Sequence, residues 1–376
     1  MFETFDYITL QQYWWIIVSL LGALLVFLMF VQGGQTLIFS LPKDEEEKNL
    51  IINTLGRKWE LTFTTLVTFG GAAFASFPLF YSTSFGGAYW VWVAILFCFI
   101  IQAVSYEYRS KPNNFLGKKT YEMFLFINGS IGVILLGTAI GTFFTGSEFY
   151  INEYNQSFWQ TKSRGLEAAL NLNNVVLGLV VFFLVRILGA MYFINSIKND
   201  SIALKARNVI KTNSLVFIPL FLYFVIQLLL REGYHYNEAS IVSLVKYKYL
   251  NNLLEMPIIL VLFLIGVVLV LFGIYKAILK NTTNPIWFGG IGTILTVFSL
   301  LLIAGLNNTC FYPSSYNIQS SLNIVNASSS RYTLTAMSYV SLLVPFVVAY
   351  IYYVWLAMNK KQIDKNDLND KDSHIY

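Results

Sequence analysis

Nine apolar segments of about twenty residues recur along the chain, and this repetition constrains the fold more than any other feature. A helix needs roughly 20 residues to cross a bilayer, and it satisfies its own backbone polar groups there. Only 12% of the residues are charged, against about 25% in soluble domains. We therefore predict an all-α integral membrane protein, a single polytopic domain over residues 1–358. Its nine transmembrane helices are predicted at 14–39, 62–82, 88–106, 122–144, 174–197, 213–231, 254–279, 286–306 and 335–358.

The distribution of positive charge predicts the orientation of these spans, because Lys and Arg collect in cytoplasmic loops. Alternate loops and the C-terminal end together hold 18 of them, and the loops on the other side hold 6. This asymmetry predicts an N-terminus outside the cell, a cytoplasmic C-terminus and a charged cytoplasmic tail over residues 359–376. The net charge of +5 is explained by these loops and so does not indicate nucleic-acid binding.

Candidate metal and redox ligands are scarce. The two histidines are His235, in a loop, and His374, near the C-terminus. Haem in membrane helices is usually held by axial His, Met or Cys inside the bundle. Cys98 lies in an apolar run and Cys310 in a polar loop, and there is no CxxC spacing. We predict no metal site, no catalytic residue and no haem held by this chain alone.

Two glutamines interrupt the first span, in the stretch LMFVQGGQTLIF at residues 28–39. Gln32 and Gln35 lie about one helical turn apart and share a face, while Gly33 and Gly34 allow a neighbouring helix to approach closely. One interpretation is that the amides bond across a helix interface. The other is that they line a polar path for protons or quinone. Gln102, near the end of the third span, is a further amide that is buried by position.

Charged residues mark the cytoplasmic ends of the second and third spans. Glu60 follows Trp59 at the mouth of the second span. It is either a solvated acid favoured by the helix dipole or a group that takes up protons from the cytoplasm. Glu107 and Arg109 lie two residues apart at the end of the third span. Because a surface ion pair contributes little, we interpret these two, together with Trp59 and Arg186, as packing or interface residues.

Arg186, in FFLVRILGAMYF, is a basic residue about halfway along a predicted span. An arginine at that depth has to snorkel, pair or line water. Glu255, which opens the seventh span, is a candidate partner. Arg186, Glu255 and the buried glutamines also allow an alternative function, a secondary transporter with a polar site near the midplane of the membrane.

Several stretches, taken in order, resemble subunit II of the cytochrome bd quinol oxidases over nearly the whole chain. They are YWW at 13–15, WE at 59–60, GGAAFASFPLFY at 70–81, YEYRSK at 106–111, GTAIGTFFTGSEF at 137–149, GAMYF at 189–193, and YPSS with SLNIVNASSSRYTL within 312–334. The resemblance implies a membrane complex that oxidises quinol, reduces dioxygen to water and builds a proton-motive force. It also implies nine spans arranged as two four-helix bundles plus one peripheral helix.

The resemblance further implies cofactors and partners. Haem b and haem d belong to the haem-bearing subunit I, which this chain would support while shaping proton or oxygen access. A small single-span subunit is a further expected partner. Some relatives hold a quinone in subunit II, and here the aromatic-rich first spans would hold it. The complex is expected in the bacterial cytoplasmic (inner) membrane.

The resemblance also implies roles for individual residues. The family commonly has DGFD where this chain has QGGQ, and an arginine near the position of Gln102. Acid and base are replaced together by amides, so we expect Gln32, Gln35 and Gln102 to form a network that orders water without ionising. Glu60 matches the family's Asp after Trp and is expected to serve a cytoplasmic proton path. Thr65 stands where some relatives have a Trp beside an oxygen-access channel, and a smaller side chain is expected to widen or reroute it.

Overall fold

Helices account for most of the chain in the computed structural model, which describes residues 2–280, 282–358 and 362–363. In chain order the α-helices are α1 Tyr7–Leu28, α2 Phe30–Gln35, α3 Glu45–Gly56, α4 Trp59–Ser76, α5 Pro78–Tyr81, α6 Tyr89–Tyr108, α7 Lys118–Ile127, α8 Val133–Thr145, α9 Leu172–Ser196, α10 Asp200–Leu230, α11 Lys248–Glu255, α12 Pro257–Leu279, α13 Pro285–Gly305, α14 Arg331–Ser341 and α15 Val344–Met358. Two antiparallel hairpins pair β1 Phe149–Ile151 with β2 Ser157–Trp159 and β3 Gly233–Tyr236 with β4 Val242–Val245.

Eight helical segments of the described chain are long and apolar enough to cross a membrane. They are Tyr7–Gln35, Tyr89–Tyr108, Lys118–Thr145, Leu172–Ser196, Asp200–Leu230, Pro257–Leu279, Pro285–Gly305 and Arg331–Ala357. The second predicted span contains α4, an 18-residue helix that is not one of these eight. Each predicted span therefore contains a helix, while the count of nine crossings stays a prediction.

The threonines of α4 lower its average hydropathy without exposing unbonded hydroxyls. Thr64, Thr65 and Thr68 each donate to the carbonyl oxygen four residues earlier, at 2.7 Å. Thr62 donates to the carbonyl oxygen of Leu28 in α1, at 2.9 Å. A hydroxyl bonded to its own helix in this way has a partner that does not depend on water. The surface of α4 is thus less polar than its composition indicates.

Some predicted boundaries are wrong. The sixth span was expected to begin at residue 213, but α10 begins at Asp200, where the Asn199 side chain accepts a hydrogen bond from the backbone N–H of Ile202 at 3.1 Å. Most of the predicted loop 198–212 is therefore helix. The predicted loop 40–61 contains α3, and the ninth span is divided between α14 and α15. The two hairpins show that the connecting segments are not wholly α-helical.

Glycines bring several helix backbones into direct contact. A Cβ atom at Gly33 would lie 1.8 Å from the carbonyl oxygen of Val185, and one at Gly189 would lie 2.5 Å from the backbone nitrogen of Gly34. Helices α2 and α9 therefore cross without intervening side chains. Gly266 of α12 lies equally close to the backbone of α13. Small residues at such crossings are the usual means by which membrane helices pack tightly.

The segment 307–334 folds over one end of the bundle and holds α1 in place. Gln11 donates to the Ser328 hydroxyl at 2.7 Å, and Trp14 donates from its indole nitrogen to the carbonyl oxygen of Leu334 at 3.2 Å. Ser330 caps α14 with its hydroxyl, as the hydroxyl-rich sequence before the ninth span predicts. These contacts tie the two ends of the described chain into one packed body.

The predicted tail, residues 359–376, lies outside the described residues except for two positions. Gln362 donates from its amide to the carbonyl oxygen of Asn195 at 3.0 Å. The backbone carbonyl oxygen of Ile363 accepts a hydrogen bond from the N–H of Lys198 at 3.0 Å. The N–H of Ile363 donates to the carbonyl oxygen of Ser196, the last residue of α9, at 2.9 Å. The described part of the tail therefore packs against the end of α9.

Candidate functional site

A buried amide pair joins α2 to α6. Gln32 donates from Nε2 to Oε1 of Gln102 at 3.0 Å, and both residues are 0% exposed. Gly33, beside Gln32, lets the backbone of α9 approach α2. The pair is thus enclosed by packed helices and does not face lipid. The structure brings together two of the three glutamines for which a network was predicted.

The third glutamine bonds elsewhere. Gln35 donates from Nε2 to the hydroxyl of Tyr106 at 3.1 Å. Tyr106 lies one turn beyond Gln102 on α6, and its ring stacks on the indole of Trp59 with centroids 5.8 Å apart. Trp59 is buried and opens α4. Tyr106 therefore connects the glutamines of α2 to the start of α4.

Several buried atoms around these glutamines form no hydrogen bond with any described residue. They are Oε1 of Gln32, Oε1 of Gln35, Nε2 of Gln102 and both amide atoms of Asn128. Asn128 opens a π-helical turn that packs against α2 and α6, so close that a Cβ at Gly129 would lie 2.3 Å from the Gln32 carbonyl oxygen. A buried polar group without a partner costs about 1–3 kcal/mol, and bound water commonly supplies the missing partner. We call these four residues the amide cluster.

Asn128 was missed by the sequence analysis, although a signal was present. It is an uncharged polar residue inside the predicted fourth span, like the glutamines in the first and third spans. Its residue type alone does not distinguish a satisfied helix-interface amide from a group that binds water. The structure adds that both of its amide atoms are buried without a partner among the described residues.

Glu60, Thr65 and Glu107 occupy more open positions. Glu60 lies in the first turn of α4, next to Trp59, and its side chain is exposed. Thr65 is half-buried on the same helix. Glu107 is exposed at the end of α6. Neither carboxylate forms an ion pair within the described residues. Glu60 is therefore exposed on the surface of this chain, as the proton-uptake interpretation requires.

The expectation that Arg109 lies at the surface beside Glu107 is wrong, whereas a packing role for Arg109 agrees with its burial. Arg109 is 1% exposed and donates from Nε at 3.1 Å and from Nη2 at 2.7 Å to one carboxylate oxygen of Glu122. Nη2 also donates to Asn49 of α3 at 2.9 Å, and Lys48 lies 3.4 Å from the other Glu122 oxygen. Glu122 follows Arg109 by 13 residues and returns to it on α7, a contact that sequence spacing does not reveal.

Arg186 is not paired with Glu255, so that prediction is also wrong. Arg186 donates from Nε to Asn213 at 2.9 Å and from Nη1 to the hydroxyl of Thr36 at 2.8 Å. Its guanidinium carbon lies 5.4 Å from the centroid of the Phe182 ring. Glu255 ends α11 and accepts a hydrogen bond from the segment after α13. Neutral partners on α9, on α10 and just after α2 therefore surround Arg186, which agrees with a packing role.

A buried lysine beside Glu60 was counted only as a loop charge by the sequence analysis. Lys58 is 1% exposed, and its Nζ lies 4.5 Å from the ring centroid of Trp355 on α15. Burial, with a smaller contribution from the charge of Arg57, lowers the pKa of Lys58 to about 8. Trp355 also contacts the rings of Phe30 and Trp287. This aromatic cluster attaches the last helix to the start of α4.

The described residues contain no group of three or more His, Cys, Asp or Glu side chains that could hold a metal ion. His235, the histidine within the described ranges, lies on β3 outside the helices that could cross a membrane. His374 lies outside those ranges. The described spans therefore offer no histidine to an axially ligated haem. Together, fold and site define a polytopic helical membrane protein with a buried amide cluster near one end of its helices.

Sequence comparison narrows this class to one family. The sequence profile of the family described as "Cytochrome bd terminal oxidase subunit II" matches residues 10–358, nearly the whole chain. The chain belongs to this family. It is therefore a multi-pass membrane subunit of a quinol oxidase, a haem-containing oxidoreductase complex with more than one subunit. The predicted function is confirmed at this level, in preference to the transporter alternative.

Individual relatives agree with this assignment. The "Probable cytochrome oxidase subunit 2" of Haemophilus influenzae is 28% identical, over 98% of this chain and 99% of that protein. The "Cytochrome bd-I ubiquinol oxidase subunit 2" of Escherichia coli K12 is 26% identical over 99% and 100%. The corresponding Bacillus subtilis protein is 26% identical over 92% and 96%. A chain of the bd oxidase from Geobacillus thermodenitrificans shares the fold, with a TM-score of 0.65 over 93% and 98% at 12% identity.

Proposed function

We propose that this chain is the haem-free subunit of a cytochrome bd oxidase and that it carries cytoplasmic protons towards the haem-bearing subunit I. In the assembled complex, subunit I would hold haem b and haem d, where oxygen is reduced. Forming water from dioxygen consumes protons, so the reaction needs a supply from the cytoplasm. The observation that carries the proposal is the exposed carboxylate of Glu60 beside a buried cluster with unused hydrogen-bonding atoms.

Glu60 is the ionisable end of the proposed path. Its exposure at the first turn of α4 lets it exchange protons with water. Trp59, the adjacent residue, stacks on Tyr106, and Tyr106 in turn accepts the hydrogen bond of Gln35. A short series of contacts therefore leads from the start of α4 to the amide cluster.

The amide cluster would hold the water molecules through which protons move. Glutamine and asparagine side chains do not ionise near neutral pH, but each offers donors and acceptors to water. The unused atoms of Gln32, Gln35, Gln102 and Asn128 are placed where such waters gain partners. In this arrangement no charge is stored in the buried cluster. That differs from the two acids and the arginine that the family commonly has at or near the positions of the three glutamines.

We also propose nine crossings, arranged as two four-helix bundles plus one peripheral helix. Helix α4, packed along α1, would be the crossing additional to the eight apolar ones. Helix α15 suits a peripheral position, because Phe346 and Tyr353 are 74% and 72% exposed. An odd number of crossings and the distribution of Lys and Arg support an outside N-terminus and a cytoplasmic C-terminus, in the bacterial cytoplasmic membrane.

Oxygen access and further partners complete the proposal. Thr65 bonds its hydroxyl to the carbonyl oxygen of Leu61, so it offers a small and largely apolar surface where a Trp would fill space. This supports an oxygen route past α4. A small single-span subunit, and a quinone among the aromatic-rich first spans, remain proposals that rest on the family alone.

The test of the proton path is the turnover of three variants of the whole complex. Glu60→Gln removes the ionisable group at nearly constant size, and Glu60→Asp keeps it in a shorter side chain. Glu107→Gln is the matched control, because it removes another exposed carboxylate at the end of α6. Quinol-driven oxygen consumption would be measured across neutral and alkaline pH, with the reduced-minus-oxidised haem spectrum as the check on assembly.

We expect Glu60→Gln to lower turnover several-fold, most strongly at alkaline pH, where protons are scarce. Glu60→Asp should restore most of the activity, and Glu107→Gln should behave like the wild type. All three should show an unchanged haem spectrum. Wild-type turnover of Glu60→Gln at every pH, with full haem content, would show that Glu60 is not on the path.

A further inference from the structure

An apolar groove separates the helix pair α9–α10 from the pair α12–α13. It encloses a cavity of about 100 Å³, lined by residues that include Leu177, Phe217, Phe221 and Val297. The two threonines in its wall, Thr293 and Thr296, donate their hydroxyls to carbonyl oxygens one turn earlier in α13. The wall therefore presents no unbonded hydroxyl to the cavity. An apolar cavity of this kind does not take up water but accepts apolar groups.

The groove follows from how these helices pack. Glycines hold α12 and α13 in backbone contact, and α10 lies along α9 much more extensively than along α12. Pro219, inside α10, cannot donate a hydrogen bond to the carbonyl oxygen of Leu215. A helix commonly bends at such a position. The helices within each pair, α9–α10 and α12–α13, pack closely against each other. The space between the two pairs stays open at the level of Phe217 and Phe221.

A small polar recess continues the groove at the C-terminal end of α10. The recess is lined by residues that include Asn173, Gln227 and Arg231, and Phe224 lines both the recess and the groove. Positions 217, 221, 224, 228 and 231 share one face of α10, because they are three or four residues apart. The recess and the groove therefore lie along one helix face. From position 217 to 231 this face is about 21 Å long, at 1.5 Å per residue.

Arg231 lacks a counter-charge in this recess. Its side chain forms no hydrogen bond or ion pair with any described residue, and its Nε is buried from solvent. Gln227, one turn earlier, is exposed on an otherwise apolar stretch of α10 and its amide also has no described partner. An arginine at the end of a spanning helix extends its head towards the membrane interface, where lipid phosphates lie. Its guanidinium fork binds phosphate through two parallel hydrogen bonds.

We propose that one phospholipid molecule binds here, with its phosphate on Arg231, its polar ester region beside Gln227 and Asn173, and one acyl chain in the groove. The length of the site supports this occupant, because 21 Å is somewhat more than half of the ~30 Å hydrocarbon thickness, enough for the headgroup and chain of one leaflet. A neutral isoprenoid quinone would fill the groove but would leave the charge of Arg231 unmatched. A free phosphate would match that charge but would leave the groove empty.

The test is native mass spectrometry of the purified two-subunit complex, with identification of the lipids that remain bound. Arg231→Gln removes the charge, and Val297→Phe fills the groove while Arg231 stays in place. Lys246→Gln is the matched control, because it removes an exposed charge beyond β4 that lines neither the recess nor the groove. Arg231→Lys, which keeps the charge but loses the fork, serves if Arg231→Gln fails to assemble.

We expect the wild type and Lys246→Gln to retain one phospholipid that the groove variant loses. Arg231→Gln should lower its occupancy at limiting lipid by about tenfold or more, and Arg231→Lys by less. After delipidation, a short-chain phospholipid should raise the thermal midpoint of the wild type, and inorganic phosphate alone should not.

Four outcomes would overturn the proposal. Two concern occupancy: the wild type and Arg231→Gln retain the lipid equally, or Val297→Phe leaves its occupancy unchanged. The third is that the retained molecule is a quinone or an adventitious detergent. The fourth is that inorganic phosphate stabilises the complex as much as the phospholipid does. None of these measurements depends on Glu60. A failure here would therefore leave the proton-path proposal standing.

Discussion

Placing charges at positions 32 and 102 tests the buried amide pair most directly. The two side chains meet at 3.0 Å and are 0% exposed. Gln32→Asp alone would bury a carboxylate against a neutral amide, and Gln102→Arg alone would bury a guanidinium. An uncompensated buried charge costs about 3–5 kcal/mol. The double variant brings both charges together, so we expect it to recover about 2–3 kcal/mol of the combined losses.

The thermal midpoint of the purified complex, followed by its haem absorbance, is the readout for this cycle. Gln32→Asn is the control for the shape of Asp without its charge, and it should lose much less stability than Gln32→Asp. We expect the double variant to melt below the wild type, but clearly above the midpoint that the sum of the two single losses predicts. A double variant whose loss equals the sum of the two single losses would show that positions 32 and 102 are not coupled, and the inferred contact would then be incorrect.

Three further predictions concern other parts of the site. Arg109→Gln should cost about 3–5 kcal/mol by leaving Glu122 buried without its main partner, and adding Glu122→Gln should recover part of that loss in thermal melts. Thr65→Trp should weaken the apparent oxygen affinity, measured in respirometry at limiting oxygen, without changing the haem spectrum. Because Lys58 has a pKa of about 8 in the fold against 10.5 ordinarily, the unfolded state binds more protons between these values. The thermal midpoint should therefore rise with pH through that window, and Lys58→Met should abolish the rise while Trp355 is kept.

Part of the site was accessible to sequence reasoning because its polar residues interrupt apolar runs. Gln32, Gln35 and Gln102 are prominent for that reason, and the structure places the first and third in direct contact. The partner of Arg109 was not accessible, since Glu122 returns to it through a turn of the chain. Lys58 was missed because a lysine between spans is usually solvated, and only tertiary packing buries it.

Spans were predicted well where apolar sequence and helix coincide, and poorly where a helix continues beyond the bilayer. Hydropathy marks the apolar length of a helix, whereas backbone hydrogen bonding continues until a capping residue or a breaker ends it. The first turns of α10 are polar, yet Asn199 caps them as part of one 31-residue helix. Arg186 bonds to Asn213, which lies well inside α10. The sequence analysis placed Asn213 at the start of the sixth span, next to a predicted loop.

Whether α4 crosses the membrane decides the parity of the chain's topology. An even number of crossings leaves both ends of a chain on one side of the membrane, and an odd number separates them. A count without α4 arrives at eight, and it places the end of α15 on the same side as Phe2. Counting α4 as a crossing reverses the side of every loop after residue 76. The three hydrogen bonds of 2.7 Å within α4 lower the cost of placing its threonines in lipid, and so they favour counting α4 as a crossing.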